Sequence, residues 1–166
     1  MNLRESERPH KPQPTDGANG GNALDVFSRA KRSSIMSAVR GGNTQPEWRI
    51  RRALYARGFR YRVHRHDLPG TPDIVFGPAR VAVFVHGCFW HGHSCPRGAL
   101  PVANRAFWRR KFAANSKRDR RDRRRLRELG WRTVTIWECT IRSEAGVARG
   151  CARIMATVLN QRKTDR

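Results

Sequence analysis

From Val85 to Cys95 the chain reads Val-His-Gly-Cys-Phe-Trp-His-Gly-His-Ser-Cys, which sets two thiols, three imidazoles and two large aromatic rings within eleven positions. Thiolates and imidazoles are the ligands that borderline-soft metal ions prefer, and imidazole is the side chain best suited to moving protons near neutral pH. Cys139 lies far along the chain, just past a second apolar run. Joined with Cys88, Cys95 and one histidine it gives three sulfurs and one nitrogen, the closed tetrahedral set of structural zinc. By spacing alone either His91 or His93 completes that set, and C-x4-H-x-C is not a standard finger. Buried free cysteines beside an exposed histidine are the competing reading. Cys151 falls on the apolar stripe of a C-terminal helix and is read as core.

A harder chemistry starts at Pro72-Asp73. An acid at the head of a short apolar strand, followed after a turn by Val83-Phe84-Val85-His86, resembles the arrangement of PD-(D/E)xK nucleases. Metal-assisted phosphodiester cleavage needs a hard oxygen ligand, an oriented water and a way to neutralise charge at phosphorus. Asp73 supplies the oxygen. The second acid and the lysine of that pattern are missing: Val85 offers only its main-chain carbonyl, and His86 stands in for the lysine. An aspartate after proline is more often a turn or cap residue. The nearby His86 and His91 turn the balance toward catalysis.

These residues need a scaffold. The 166 residues suffice for one domain with a real core. Residues 1–26 mix Pro, Gly, Asn and charge without apolar periodicity and are expected to be a disordered tail; residues 27–166 form the single domain. A short helix is predicted over 30–39. Thr44-Gln45-Pro46-Glu47 then has the form of a capping box opening a helix that buries Trp48, Ile50 and Leu54 and stops at Gly58. Strands are predicted at 59–63, 73–76, 80–85 and 131–137. A long helix runs over 104–129, closed by Gly130. A last one, over 145–161, carries Val147, Cys151, Ile154, Met155, Val158 and Leu159 on one face. The order predicts an α/β fold, a mixed sheet flanked by helices.

Charge narrows the partner. Thirty-five Lys plus Arg against 13 Asp plus Glu leave a formal net charge of +22. Such an excess repels itself in a compact chain, so a polyanion, and nucleic acid above all, is the natural partner. Neither a membrane-length apolar run nor the apolar core of a secretory signal is present. No membrane is expected, and a cytoplasmic, nucleoid-associated location is, where thiols stay reduced. The basic run from Arg109 to Arg125 reads as phosphate-binding or solvated surface, with Asp119 and Asp122 as weak helix ion pairs.

Taken together, the landmarks resemble the very short patch repair (Vsr-type) endonucleases. They are Arg32-Ser33 with Met36, Thr44 with Glu47, Leu68-Pro69-Gly70-Thr71-Pro72-Asp73, Phe84-Val85-His86-Gly87-Cys88-Phe89-Trp90-His91, Phe107-Trp108, Asn115 with Arg118-Asp119, and Trp137-Glu138-Cys139. They span residues 28–139 in order. The resemblance implies a PD-(D/E)xK, restriction-endonuclease-like fold with a structural zinc held by Cys88, His93, Cys95 and Cys139. It further implies a magnesium-dependent enzyme that nicks one strand of double-stranded DNA 5′ of the thymine in a T:G mismatch, the lesion left when 5-methylcytosine deaminates.

Carried over position by position, Asp73 and the Val85 carbonyl would hold magnesium. His91 would be the general base and His86 the second active-site histidine. Glu47 matches a residue near the active site, with its capping-box reading equally good. Phe89, Trp90 and Trp108 resemble a wedge inserted beside the mismatch, whereas Trp48, Trp131 and Trp137 are read as core. Met36, Lys111 and Asn115 match contacts to the mismatched pair. A monomer is expected. Partnership with general mismatch-repair proteins is implied by the family alone. The alternatives are a zinc-stabilised restriction-type nuclease acting on undamaged duplex, and a DNA-binding protein without activity.

Overall fold

In a computed structural model, residues 42–164 are described. The expected tail, the predicted helix at 30–39 and Met36 lie outside the described residues. The elements run α1 (Gln45–Ala56), β1 (Ile74–Phe76), β2 (Val81–His86), α2 (Arg105–Glu128), β3 (Arg132–Trp137) and α3 (Glu144–Thr164), with 3₁₀ turns at Pro96–Gly98 and Glu138–Ile141. The sheet is mixed, in the order β1-β2-β3, with β1 antiparallel and β3 parallel to β2.

β2 is buried along its whole length, as its unbroken apolar run requires. Its alternate residues serve two cores. Val81, Val83 and Val85 meet Ile50 and Leu54 of α1 and Val147, Cys151, Ile154 and Val158 of α3. Ala82 and Phe84 meet Leu126 of α2 with Leu68 and Trp131. Period-two alternation therefore puts His86, the last residue of β2, on the α2 side. No described helix is long and apolar enough to cross a membrane.

Four expectations need correction. The strand predicted at 59–63 is reduced to one bridge between Arg62 and Val75. Phe59 and Tyr61 do pack edge-on against Phe76, but the backbone turns away at His64, whose φ of 51° ends any ladder. Trp48 is 53% exposed, because the buried stripe of α1 is Glu47, Ile50, Arg51 and Leu54. An ion pair of 2.9 Å between Glu47 and Arg51 lets two charged residues take positions that a hydrophobicity pattern assigns elsewhere. The capping box is not formed: Thr44 is the N-cap, yet its hydroxyl donates to Glu47 Oε1 (2.7 Å), and Glu47 Oε2 accepts from the Asn43 amide. Leu159, assigned to the apolar face of α3, is exposed.

Candidate active site and metal centre

The chain leaves β2 at His86 and folds into a tight loop that returns on itself. A Cβ on Gly98 would fall 2.0 Å from the His93 carbonyl oxygen, so only glycine lets the loop cross there. Gly92 sits at φ +56°, with Phe112 of α2 close beneath it. The crossing gathers Cys88, His93 and Cys95 against Cys139, which follows β3. One ligand atom from each of the four lies within 4.8 Å of the others. All three cysteines are free thiols. Burial pushes the Cys88 thiol up to about 12, while the hydrogen bond from His93 pulls Cys95 down to about 6. A buried thiol beside a readily ionised one, an imidazole and a third sulfur is a donor set that fits zinc.

On the other side of the same loop opens a cleft of about 930 Å³. Asp73 lies in its wall, ahead of β1, with Oδ2 accepting the Val85 amide at 2.6 Å. Burial raises its carboxyl to about 6, opposed by that hydrogen bond and reinforced by the nearby Glu47. A carboxylate uncomfortable as an anion in its own pocket is one that a cation would stabilise. Behind it, the Arg51 guanidinium binds the Glu47 carboxylate and the Asp73 carbonyl, each at 2.9 Å, and so fixes both acids.

His86 and His91 face the same space as a parallel stack, with centroids 3.8 Å apart. Burial first, and the adjacent His91 second, lower His86 to about 4, so it is neutral at physiological pH. His91 Nδ1 lies 2.6 Å from Asp119 Oδ2. That contact assigns the Nδ1 proton to the Asp119 side and leaves Nε2 as the acceptor nitrogen of the ring.

Phe89, Trp90, Trp108 and Phe112 form a half-buried aromatic group at the rim, with Phe89 4.8 Å from Trp108 and 5.6 Å from Phe112. Phe89 and Trp90 line the cleft. Asn115 is buried, and its Nδ2 donates to the Trp90 carbonyl at 2.7 Å, so α2 holds the aromatic loop in place. Lys111, Arg118 and Arg123 bring positive charge to the cleft.

The structure thus brings Asp73, Val85, His86, His91 and Glu47 to one cleft and Cys88, His93, Cys95 and Cys139 to a separate cluster. Either of two histidines was open by spacing; it is His93 that sits with the sulfurs, and His91 with a carboxylate. Sequence reasoning read Asp119 as a helix ion pair, and that pair forms, with Arg118 at 3.3 Å, but the contact of its other oxygen with His91 was missed. A signal was present: Asn115, Asp119, Asp122 and Leu126 repeat at helical spacing as a non-basic stripe in a basic helix. Phe112 was missed as well, and Trp137, read as core, touches the histidines.

Residues 24–97 match the family described as DNA mismatch endonuclease Vsr. Over 117 residues the chain is 47% identical to the type II nicking enzyme V.XorIIP of Xanthomonas oryzae pv. oryzae, covering 70% of this chain and 86% of that protein. It is 43% identical over 118 residues to the DNA mismatch endonuclease Vsr of Escherichia coli, 71% and 76% of the two chains. To the type II nicking enzyme V.NmeAIP of Neisseria meningitidis it is 39% identical, over 73% of this chain and 86% of the other.

Proposed function

The chain belongs to the Vsr family and is a DNA endonuclease, and we propose that it nicks one strand 5′ of the thymine in T:G mismatches with magnesium as cofactor. The observation that carries this reading is the convergence of Asp73, the stacked His86–His91 pair and Asp119 in a cleft rimmed by aromatic rings. The fold is then a small PD-(D/E)xK variant, with 27–166 as its single domain after a tail at 1–26. It works as a monomer on DNA in the cytoplasm.

Asp73 would hold magnesium, with the Val85 main-chain carbonyl beside it and Glu47 close behind. The bound ion supplies charge neutralisation at the scissile phosphate. His91 Nε2 takes the proton of the attacking water, and Asp119 stabilises the resulting imidazolium. The new bond forms between water oxygen and phosphorus as the bond from phosphorus to the leaving 3′ oxygen breaks, and that oxygen takes up a proton from solvent. His86, neutral and stacked, donates an N–H to a phosphate oxygen.

Phe89, Trp90 and Trp108 serve as the wedge. Inserting rings costs a few kcal/mol of unstacking, least at a mispair, so the wedge doubles as a lesion sensor. Lys111 and Asn115, on the α2 side of the cleft, meet the mismatched pair; Met36, outside the described residues, is assigned a contact to it by the family resemblance alone. Zinc in the Cys88, His93, Cys95 and Cys139 cluster fixes the loop that carries both wedge and base.

The test is a pair of duplexes of one sequence, T:G and T:A, incubated with the protein and magnesium. Nicking of T:G alone is expected. Cutting of both would replace this reading with a restriction-type nuclease.

A further inference from the structure

We propose that Trp137 is a positioning residue that ties the order of the Cys/His cluster to the catalytic imidazole pair, an inference that rests on the nuclease reading above. Trp137 ends β3 directly opposite His86, its partner in the β2–β3 register. Its indole lies 5.2 Å from the His86 ring and 6.0 Å from the His91 ring, both edge-on, and 4.2 Å from the His93 ring at 31°. One rigid side chain therefore borders both active-site imidazoles and the histidine of the sulfur cluster.

Plain core packing does not explain the position. Trp137 is half-buried and contributes to neither apolar core among the described residues. The two residues that follow it grip the same loop. Glu138 pairs with Arg97 at 3.0 Å, and Cys139 donates its amide to Cys88 Sγ while its own sulfur lies 3.7 Å from His93 Nδ1. Three consecutive residues thus clamp one loop, and the first of them faces the reacting groups.

Two stacked imidazoles with one hydrogen bond to Asp119 are not held by that bond alone. An indole across their edges limits ring rotation and keeps His91 Nδ1 aimed at Asp119. Misplacement of a catalytic group by about 1 Å costs on the order of a hundredfold in rate.

The experiment compares Trp137→Leu and Trp137→Phe with the natural chain, each zinc-loaded. It reads kcat and KM on a T:G duplex, zinc content, and the low-field NMR signal of the His91–Asp119 hydrogen-bond proton. For Trp137→Leu we expect kcat to fall roughly a hundredfold with KM within a few-fold, zinc retained at the natural level, and the proton signal lost. Trp137→Phe, which keeps a ring, is expected to be intermediate in kcat and to retain the signal at a shifted position. A zinc-loaded Trp137→Leu protein with unchanged kcat and signal overturns the proposal. So does loss of zinc in step with kcat in both variants, the mark of a purely structural role. If the leucine variant does not fold, the phenylalanine variant decides by whether its signal and kcat move at full zinc. Should the natural chain fail to nick T:G, the nuclease reading falls, while the proton signal and zinc content still report the coupling.

Discussion

His91 and His93 are two residues apart on one loop, yet they live in opposite surroundings. His93 faces three sulfurs in a closed cluster, and His91 faces a carboxylate, a second imidazole and an open cleft. Closure and soft donors make one cluster a staple, because every ligand position is taken by protein. An open face with oxygen and nitrogen groups leaves room for substrate on the other side. The difference teaches that a run of similar residues acquires two chemistries through what the tertiary fold sets against each. Trp137 is the wall between them.

The comparison breaks most sharply at Asp73. Replacing it by Ala is expected to lower nicking by at least about a thousandfold, the worth of several kcal/mol at the transition state. Mismatch binding in a gel-shift assay should stay within a few-fold. If nicking survives, the cleft is not the catalytic side.

Asp119→Asn comes next. The amide cannot stabilise an imidazolium, so kcat should fall by roughly 10²- to 10⁴-fold, with duplex binding and zinc content unchanged. An unaffected kcat would return Asp119 to the role of a surface ion pair.

On the closed side, Cys139→Ser is expected to lower zinc content and melting temperature together. Each kcal/mol lost should move the midpoint by about 2–4 °C in a chain of this size. Zinc held at the natural level in that variant would mean a different ligand set.

The smallest effect is on stability against pH without magnesium, where Asp73 and His86 oppose each other. Asp73 is raised from 3.8 to about 6, so its contribution is present below 3.8 and is lost as pH rises through 6. His86 is lowered from 6.5 to about 4, so its contribution is present above 6.5 and is lost as pH falls through 4. Between pH 4 and 6 the two slopes nearly cancel. In Asp73→Asn only the histidine remains, and the urea midpoint should then fall as the pH is lowered from 6.5 to 4. A variant as flat as the natural chain would show that the two groups do not titrate this way.

Much of the site was legible because its residues are local. Asp73, His86, His91 and the cysteines stand in short motifs whose types carry the chemistry, while β2 follows an unbroken apolar run, α3 an apolar stripe and α2 a glycine stop. Some readings failed because they treated charge as surface. Glu47 and Arg51 are buried because they satisfy each other, which pushed Trp48 into solvent. Asp119 is read from its own helix as one more i,i+4 partner. One oxygen does pair with Arg118 on that helix, but the other reaches His91, 28 residues away in sequence.

The sequence by itself determined which functional groups exist, their order, the mixed α/β alternation and the basic surface that calls for DNA. These follow from residue type and from periodicities set by local backbone geometry. Only the tertiary structure decided that His93 goes to the sulfurs and His91 to Asp119, and that Trp137 stands against both. Those choices depend on where β3 and α2 dock beside the loop. Such docking is fixed by packing and ion-pair satisfaction between distant segments, which no local pattern encodes.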